Sequence, residues 1–107
     1  MTNDEFQSIL DSRIEQMQKV LSKKGKEYSS VDDRLHNFKL AAQILNCTPE
    51  KALIGMFVKH LVSIFDIITS LTETPVIPSE DFINEKFGDA VNYLVLLEAL
   101  LKERQNT

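Results

Sequence analysis

Two stripes of polar side chains stand inside otherwise apolar segments of the chain, and their types could support chemistry. The first stripe consists of Lys59, Ser63 and Asp66 with His60 beside them; the second consists of Glu85, Asp89 and Asn92 with Lys86 and Tyr93 adjacent. Within each stripe the residues follow one another at i, i+4 and i+7, the spacing of one helix face. A buried charge is costly unless it is paired or ligated, so such stripes indicate either a site or ion pairs.

Facing stripes would bring together three carboxylates, those of Asp66, Glu85 and Asp89. Mg²⁺ prefers such oxygen ligands and is often held by a few carboxylates plus substrate phosphates. Lys59 and His60 would then meet the anion and stabilise charge that develops on it. The alternative is that the stripes are solvated helix faces or interhelical ion pairs, in which Lys59 pairs with Asp66 or Asp89. Spacing alone leaves both interpretations open.

A second set of candidate anion-binding residues lies near the start of a predicted short helix. It consists of Arg34, His36, Asn37 and Lys39. Cationic side chains and the free amide groups of a helix start can together bind a phosphate. A plain exposed turn is the alternative interpretation of the same residues.

Four helices are predicted to position these residues, because apolar side chains recur at steps of three and four along most of the chain. The predicted helices run from about Asn3 to Lys24, from about Leu35 to Leu45, from Pro49 to Leu71 and from Glu80 to Arg104. Gly25 and Asn46 are predicted to end the first two, and Thr48 and Ser79 to cap the last two. Pro75 and Pro78 break the chain between the third and fourth helices.

The predicted fold class is therefore all-α, one domain over residues 1–107 built as a bundle of about four helices. The third helix is apolar enough that we expect it to bury most of its circumference. Gly88 lies inside the fourth helix, where glycine costs about 1 kcal/mol relative to alanine. It predicts the close approach of a neighbouring backbone or a ligand.

Composition narrows the function classes. The chain has 12 Lys and Arg against 16 Asp and Glu, a net charge of −4, which argues against a nucleic-acid-binding surface. The single cysteine, Cys47, cannot form an internal disulfide, and no signal peptide is recognisable, so we expect a cytoplasmic protein. The apolar stretch from Ala52 to Leu71 contains Lys59 and Asp66, which argues against a membrane span.

The run from Glu85 to Leu94, EKFGDAVNYL, resembles the acidic helix of the MazG-like all-α nucleoside triphosphate pyrophosphatases. The segment from Lys24 to Ala42 carries Lys-Glu-Tyr, Arg-x-His-Asn-Phe and Ala-Ala elements. Together with Thr48-Pro49-Glu50 and the helix from Met56 to Asp66, it is similar to small phage-type members of that group. The similarity covers most of residues 24–103. In catalytic members a carboxylate stands at the position of Lys86.

The resemblance implies a helical homo-oligomer that binds Mg²⁺ through helix-borne acids and cleaves a nucleoside triphosphate to monophosphate and pyrophosphate. In this scheme Asp66, Glu85 and Asp89 hold the metal, and Lys59 and His60 are catalytic. Substrate is bound and oriented by Arg34, Asn37, Asn92 and Tyr93. A nucleotide or another phosphate-containing small molecule is the expected partner. The alternative is a catalytically inactive helical homo-oligomer with an accessory role, in which the charged residues form structural ion pairs.

Overall fold

A computed structural model of the chain describes residues 1–24, 33–74 and 76–106, with only the backbone at residues 23 and 24. The four α-helices are α1 (Asn3–Lys19), α2 (His36–Leu45), α3 (Pro49–Glu73) and α4 (Glu80–Gln105). A π-helical turn, Val20–Lys24, continues α1. The prediction of an all-α bundle of about four helices is confirmed, and the described residues contain no strand.

The residues predicted to begin α3 and α4 and to end α2 do so in the structure, through local hydrogen bonds and backbone conformation. The hydroxyl of Thr48 accepts a hydrogen bond from the amide of Lys51, and the hydroxyl of Ser79 accepts one from the amide of Phe82. Both are ordinary N-caps. Asn46 ends α2 with φ 54°, the left-handed conformation that asparagine tolerates. The predicted end of the first helix at Gly25 lies outside the described residues.

The core forms where α2 and α4 pack against one side of α3. Its buried residues are Leu35, Leu53, Phe57, Ile64, Ala90 and Leu100. Leu53 is fully buried, and the rings of Phe57 and Tyr93 lie 5.7 Å apart. Tyr93, His60 and their neighbours are therefore held on the interface between α3 and α4, while α1 packs against α4.

Two charged contacts tie the far end of α4 to the rest of the bundle. The ammonium group of Lys39 lies 2.7 Å from a carboxylate oxygen of Asp33 and 2.6 Å from one of Glu103. The guanidinium of Arg104 pairs with the carboxylate of Glu50 at the start of α3. The contacts of Lys39 with Glu103 and of Arg104 with Glu50 join residues that are distant in sequence, so together they fix the carboxyl end of α4.

The expectation that α3 buries most of its circumference is wrong for the single chain. Its buried residues, Ala52, Leu53, Phe57 and Ile64, cover one face, while Phe65 on another face is 60% exposed. No residue of α1 is buried, although Phe6, Ile9 and Leu10 are apolar. Among the described helices, α3 has the length and the apolar composition that a membrane crossing would need, a property it shares with core helices of soluble proteins.

Candidate functional site

A cleft of about 540 Å³ lies between α1 and the amino-terminal half of α4. Its lining residues are Arg13, Gln16, Met17, Lys19, Val20, Asn84, Glu85, Gly88, Asp89 and Asn92. The volume falls within the range of small-molecule sites, and the wall mixes two cations, two carboxylates and three amides with apolar side chains. Such a mixture suits a ligand that carries both charge and hydrogen-bonding groups.

Arg13 crosses the cleft and lies against the backbone of α4. Its guanidinium donates to the main-chain oxygen of Asn84 at 3.3 Å and to the side-chain oxygens of Gln16 and Asn84 at 3.3 and 3.5 Å. All three acceptors are neutral, and no described carboxylate lies within ion-pair distance of Arg13. A guanidinium held by neutral oxygens keeps its charge available for an anion.

Gly88 makes this position of Arg13 possible. A Cβ built on residue 88 would lie 2.7 Å from Nη1 of Arg13. The close approach that glycine predicts inside α4 is therefore real, and the approaching group is a side chain from α1 rather than a backbone or a ligand.

Asp89 connects the cleft to the interface between α3 and α4. Its Oδ2 lies 3.5 Å from Nδ1 of His60, and the His60 ring lies 4.9 Å from the ring of Tyr93. Burial raises the pKa of Tyr93, and the negative charge of Asp89 adds to the rise. The contact with His60, on α3, helps to position the carboxylate of Asp89.

Asn92 is one of the residues predicted to bind substrate, and it lines the cleft. Its Oδ1 is buried and accepts no hydrogen bond from any described residue. Leaving a buried acceptor unsatisfied costs about 1–3 kcal/mol, so its position needs a reason beyond stability. Because this oxygen is closed to solvent, a ligand in the cleft reaches it only if the Asn92 side chain turns.

Two of the three predicted metal ligands line the cleft together. Glu85 and Asp89 are one helical turn apart on α4, and both remain partly exposed to solvent. Asp66 is exposed on α3 and is not part of the cleft wall. The described residues contain no group of three acidic, imidazole or thiol side chains that could hold a metal ion. Mg²⁺ still fits here, since it often uses one or two carboxylates with the oxygens of a bound phosphate.

The remaining predicted site residues lie elsewhere. Lys59 is exposed on α3, and its carbonyl oxygen accepts a hydrogen bond from the hydroxyl of Ser63. Arg34 is exposed before α2 and donates to the carbonyl oxygen of Leu21 at 2.5 Å. Asn37 is exposed in the first turn of α2. The structure therefore brings together Glu85, Asp89 and Asn92, adds His60 and Tyr93 behind them, and leaves Lys59, Asp66, Arg34 and Asn37 apart.

Sequence reasoning missed the α1 side of the cleft, above all Arg13. A signal was present, because Arg13 stands three residues after Leu10 and four before Met17, on the apolar face of α1. A cation at an inward position of one helix and a glycine inside another together indicate a close side-chain contact.

Comparisons with known proteins give no relative for this chain: no family model, no curated protein and no solved structure matches it.

Proposed function

We propose that this chain is a MazG-like helical protein that binds a nucleotide or another phosphate-containing small molecule in the cleft between α1 and α4, together with Mg²⁺. The observation that carries the proposal is the guanidinium of Arg13. It is placed in a cleft of ligand size, it has only neutral acceptors among the described residues, and it depends on Gly88 for its position.

Each wall of the cleft has a separate task in this proposal. Arg13 binds the phosphate, and Asn92 forms part of the wall against which the base or the sugar would lie. Glu85 and Asp89 are the residues that would hold Mg²⁺, which when bound neutralises phosphate oxygens and lowers the pKa of bound water. His60 is a positioning residue that keeps the Asp89 carboxylate in place.

For a nucleoside triphosphate the matching reaction is hydrolysis between the α- and β-phosphorus atoms. Water adds to the α-phosphorus and releases a proton to the solvent, the bond from the α-phosphorus to the bridging oxygen breaks, and pyrophosphate leaves with the electron pair of that bond. Arg13 can stabilise the charge that develops on the departing oxygens, since charge-assisted hydrogen bonds strengthen with that charge.

Binding is tested by a thermal-shift panel of the purified protein with nucleoside triphosphates, monophosphates and pyrophosphate, each with and without Mg²⁺. At 100 times the dissociation constant, a ligand should raise the melting temperature by roughly 10 °C. Arg13→Gln should weaken the binding by about 10- to 100-fold. Lys102→Gln, at an exposed cation outside the cleft, is the matched control. A flat panel, or equal binding by Arg13→Gln, would overturn the proposal.

A second candidate function is a catalytically inactive helical protein with the same cleft. It is favoured by the lack of a three-residue metal group among the described side chains and by Lys86 at a position where the family has a carboxylate. A pyrophosphate-release assay with each ligand that shifts the melting temperature separates the two. Turnover that requires Mg²⁺ and Asp89 supports the enzyme, whereas binding without turnover supports the inactive protein.

A further inference from the structure

The α1 side of the cleft lies between two points at which α1 is attached to the rest of the bundle. The α1 residues that line the cleft are Arg13, Gln16, Met17, Lys19 and Val20, which we call the α1 wall. The first attachment is Arg13 itself, whose guanidinium lies against Asn84 and Gly88 of α4. The second is Leu21, one residue beyond the wall, whose carbonyl oxygen accepts a hydrogen bond from the guanidinium of Arg34 at 2.5 Å. The α1 wall is therefore held at both of its ends.

These two attachments are important because apolar packing contributes little to the position of α1. No residue of α1 is buried, and α4 is the helix against which it packs. In a folded protein a helix is held mainly by the burial of its apolar face. Where that burial is small, individual hydrogen bonds from charged donors decide more of the position of the helix.

The carbonyl of Leu21 lies where the geometry of the first helix changes. It belongs to the π-helical turn Val20–Lys24, in which backbone hydrogen bonds span five residues rather than four. Such turns are rare and are frequent at functional sites. A main-chain carbonyl has two lone pairs and can accept a side-chain donor in addition to a helical amide. Because the donor here is a guanidinium, the hydrogen bond is charge-assisted.

Arg34 is itself attached to the well-packed part of the bundle. Its neighbour Leu35 is 5% exposed and belongs to the core that α2, α3 and α4 form. Its other neighbour, Asp33, accepts a hydrogen bond from the amide of Leu35 at 3.0 Å and pairs with Lys39 at 2.7 Å. The backbone on both sides of Arg34 is therefore fixed, and the guanidinium of Arg34 connects α1 to the core.

We propose that Arg34 is a positioning residue, which holds the α1 wall at its place opposite α4 through the hydrogen bond to the carbonyl of Leu21. The inference rests on the proposed function in one respect, that the cleft is the binding site. Arg34 does not line the cleft, so it acts on a bound phosphate through α1 and not by contact. This role differs from the direct substrate binding that the family resemblance implies for Arg34.

The first test needs no ligand. NMR relaxation follows the backbone amides in the unmodified chain and in Arg34→Met, which keeps a long side chain but lacks the charge and the donors. We expect the order parameters of residues 14–22 to fall from about 0.85 toward about 0.6, while those of α3 stay unchanged. Arg34→Lys, which retains a cation and a donor, should restore most of the order. Lys51→Met is the matched control, because Lys51 is an exposed cation of α3 that does not line the cleft.

The second test is the affinity for inorganic pyrophosphate with Mg²⁺, measured by calorimetric titration at low and at high salt. Arg34→Met should weaken binding roughly threefold to tenfold, because fewer molecules hold the α1 wall in place. The factor should be the same at both salt concentrations, since the contact of Arg34 is with a neutral carbonyl. A direct contact between Arg34 and the anion would instead lose most of its effect at high salt.

Three results would overturn the proposal: unchanged order of α1 in Arg34→Met, an equal loss of order in α3, or a loss of affinity that disappears at high salt. If the unmodified chain does not bind pyrophosphate at all, the proposed function fails. The order of α1 in the ligand-free variants then still decides whether Arg34 positions this helix.

Discussion

Nη1 of Arg13 lies so near the backbone of Gly88 that a Cβ on residue 88 would be 2.7 Å away from it. This contact joins α1 to α4 and defines one end of the cleft. It also explains why a residue that weakens helices stands inside α4, because any larger side chain would displace the guanidinium.

Gly88→Ala should therefore weaken phosphate binding by roughly tenfold while leaving the free energy of unfolding almost unchanged. The loss of the Arg13 contact offsets the gain in helix propensity. Calorimetric titration with the nucleotide that gives the largest thermal shift measures the first effect, and urea denaturation the second. Gly55→Ala is the control, because nothing lies within 4 Å of its added Cβ. That variant should be more stable by about 0.5–1 kcal/mol and should bind normally. Equal behaviour of the two variants would contradict the assignment.

Asn92→Leu should stabilise the ligand-free protein by about 1–2 kcal/mol and reduce ligand binding. The substitution removes a buried oxygen that no described residue satisfies, at a similar side-chain volume. The same change at Asn84 should destabilise the protein, since the Asn84 side chain accepts a hydrogen bond from Arg13. Urea denaturation of both variants without ligand checks the contrast. A loss of stability in Asn92→Leu would show that its oxygen is satisfied.

Asp89→Asn should lower the pKa of Tyr93 without returning it to its ordinary value near 10, because burial is the larger cause of the rise and Asp89 the smaller. A raised folded-state pKa means that the contribution of Tyr93 to stability is complete below the unfolded pKa. It is lost as the pH rises through the folded pKa. Tyrosinate absorbance in a Tyr28→Phe background follows Tyr93 alone. If Tyr93 titrates at the same pH in Asp89→Asn as in the unmodified protein, the charge of Asp89 does not act on Tyr93, and the prediction is wrong.

The pair of Glu50 and Arg104 should make stability depend on acid pH. Its hydrogen bond from Arg104 lowers the pKa of Glu50 below 4.5. The stabilisation is therefore present above the unfolded pKa and is lost as the pH falls through the lower folded pKa. At pH 7 Glu50→Gln should melt on the order of 2 °C below the unmodified protein, and the difference should vanish in acid. Glu15→Gln, at an exposed carboxylate of α1 that has no ion-pair partner among the described residues, is the control. Melting curves across pH that run parallel would contradict this role.

The helices were predictable because their signals are local. Thr48, Pro49 and Ser79 are capping residues whose effect depends on the next three amides, and the structure confirms them. The second polar stripe was also predictable, since helical spacing alone puts Glu85 and Asp89 on one face. Its partner was not, because nothing in the spacing of residues shows which helix packs opposite.

The hypothesis of facing stripes set α3 opposite the second stripe. In the structure α3 does pack against α4, but α1 forms the wall of the cleft that faces Glu85 and Asp89. Among the described contacts, it is His60, the neighbour of the first stripe, that meets the second stripe, through Asp89. Lys59 is only one residue away, but one residue turns a side chain by about 100° around the helix axis. Lys59 is exposed for that reason, whereas His60 is half-buried. The difference between these two neighbours comes from how α3 packs, not from their residue types.

The absence of buried residues in α1 has a consequence for any molecule that enters the cleft. Arg13 belongs to a helix that buries little apolar surface, so α1 is held only weakly against α4. Only those molecules in which α1 is docked on α4 are able to bind. The apparent dissociation constant is the intrinsic one divided by that fraction. A molecule that bridges Arg13 and α4 would therefore protect the amides of α1 from hydrogen exchange. Changes at Phe6 or Ile9, which do not line the cleft, would tune its affinity through the docked fraction.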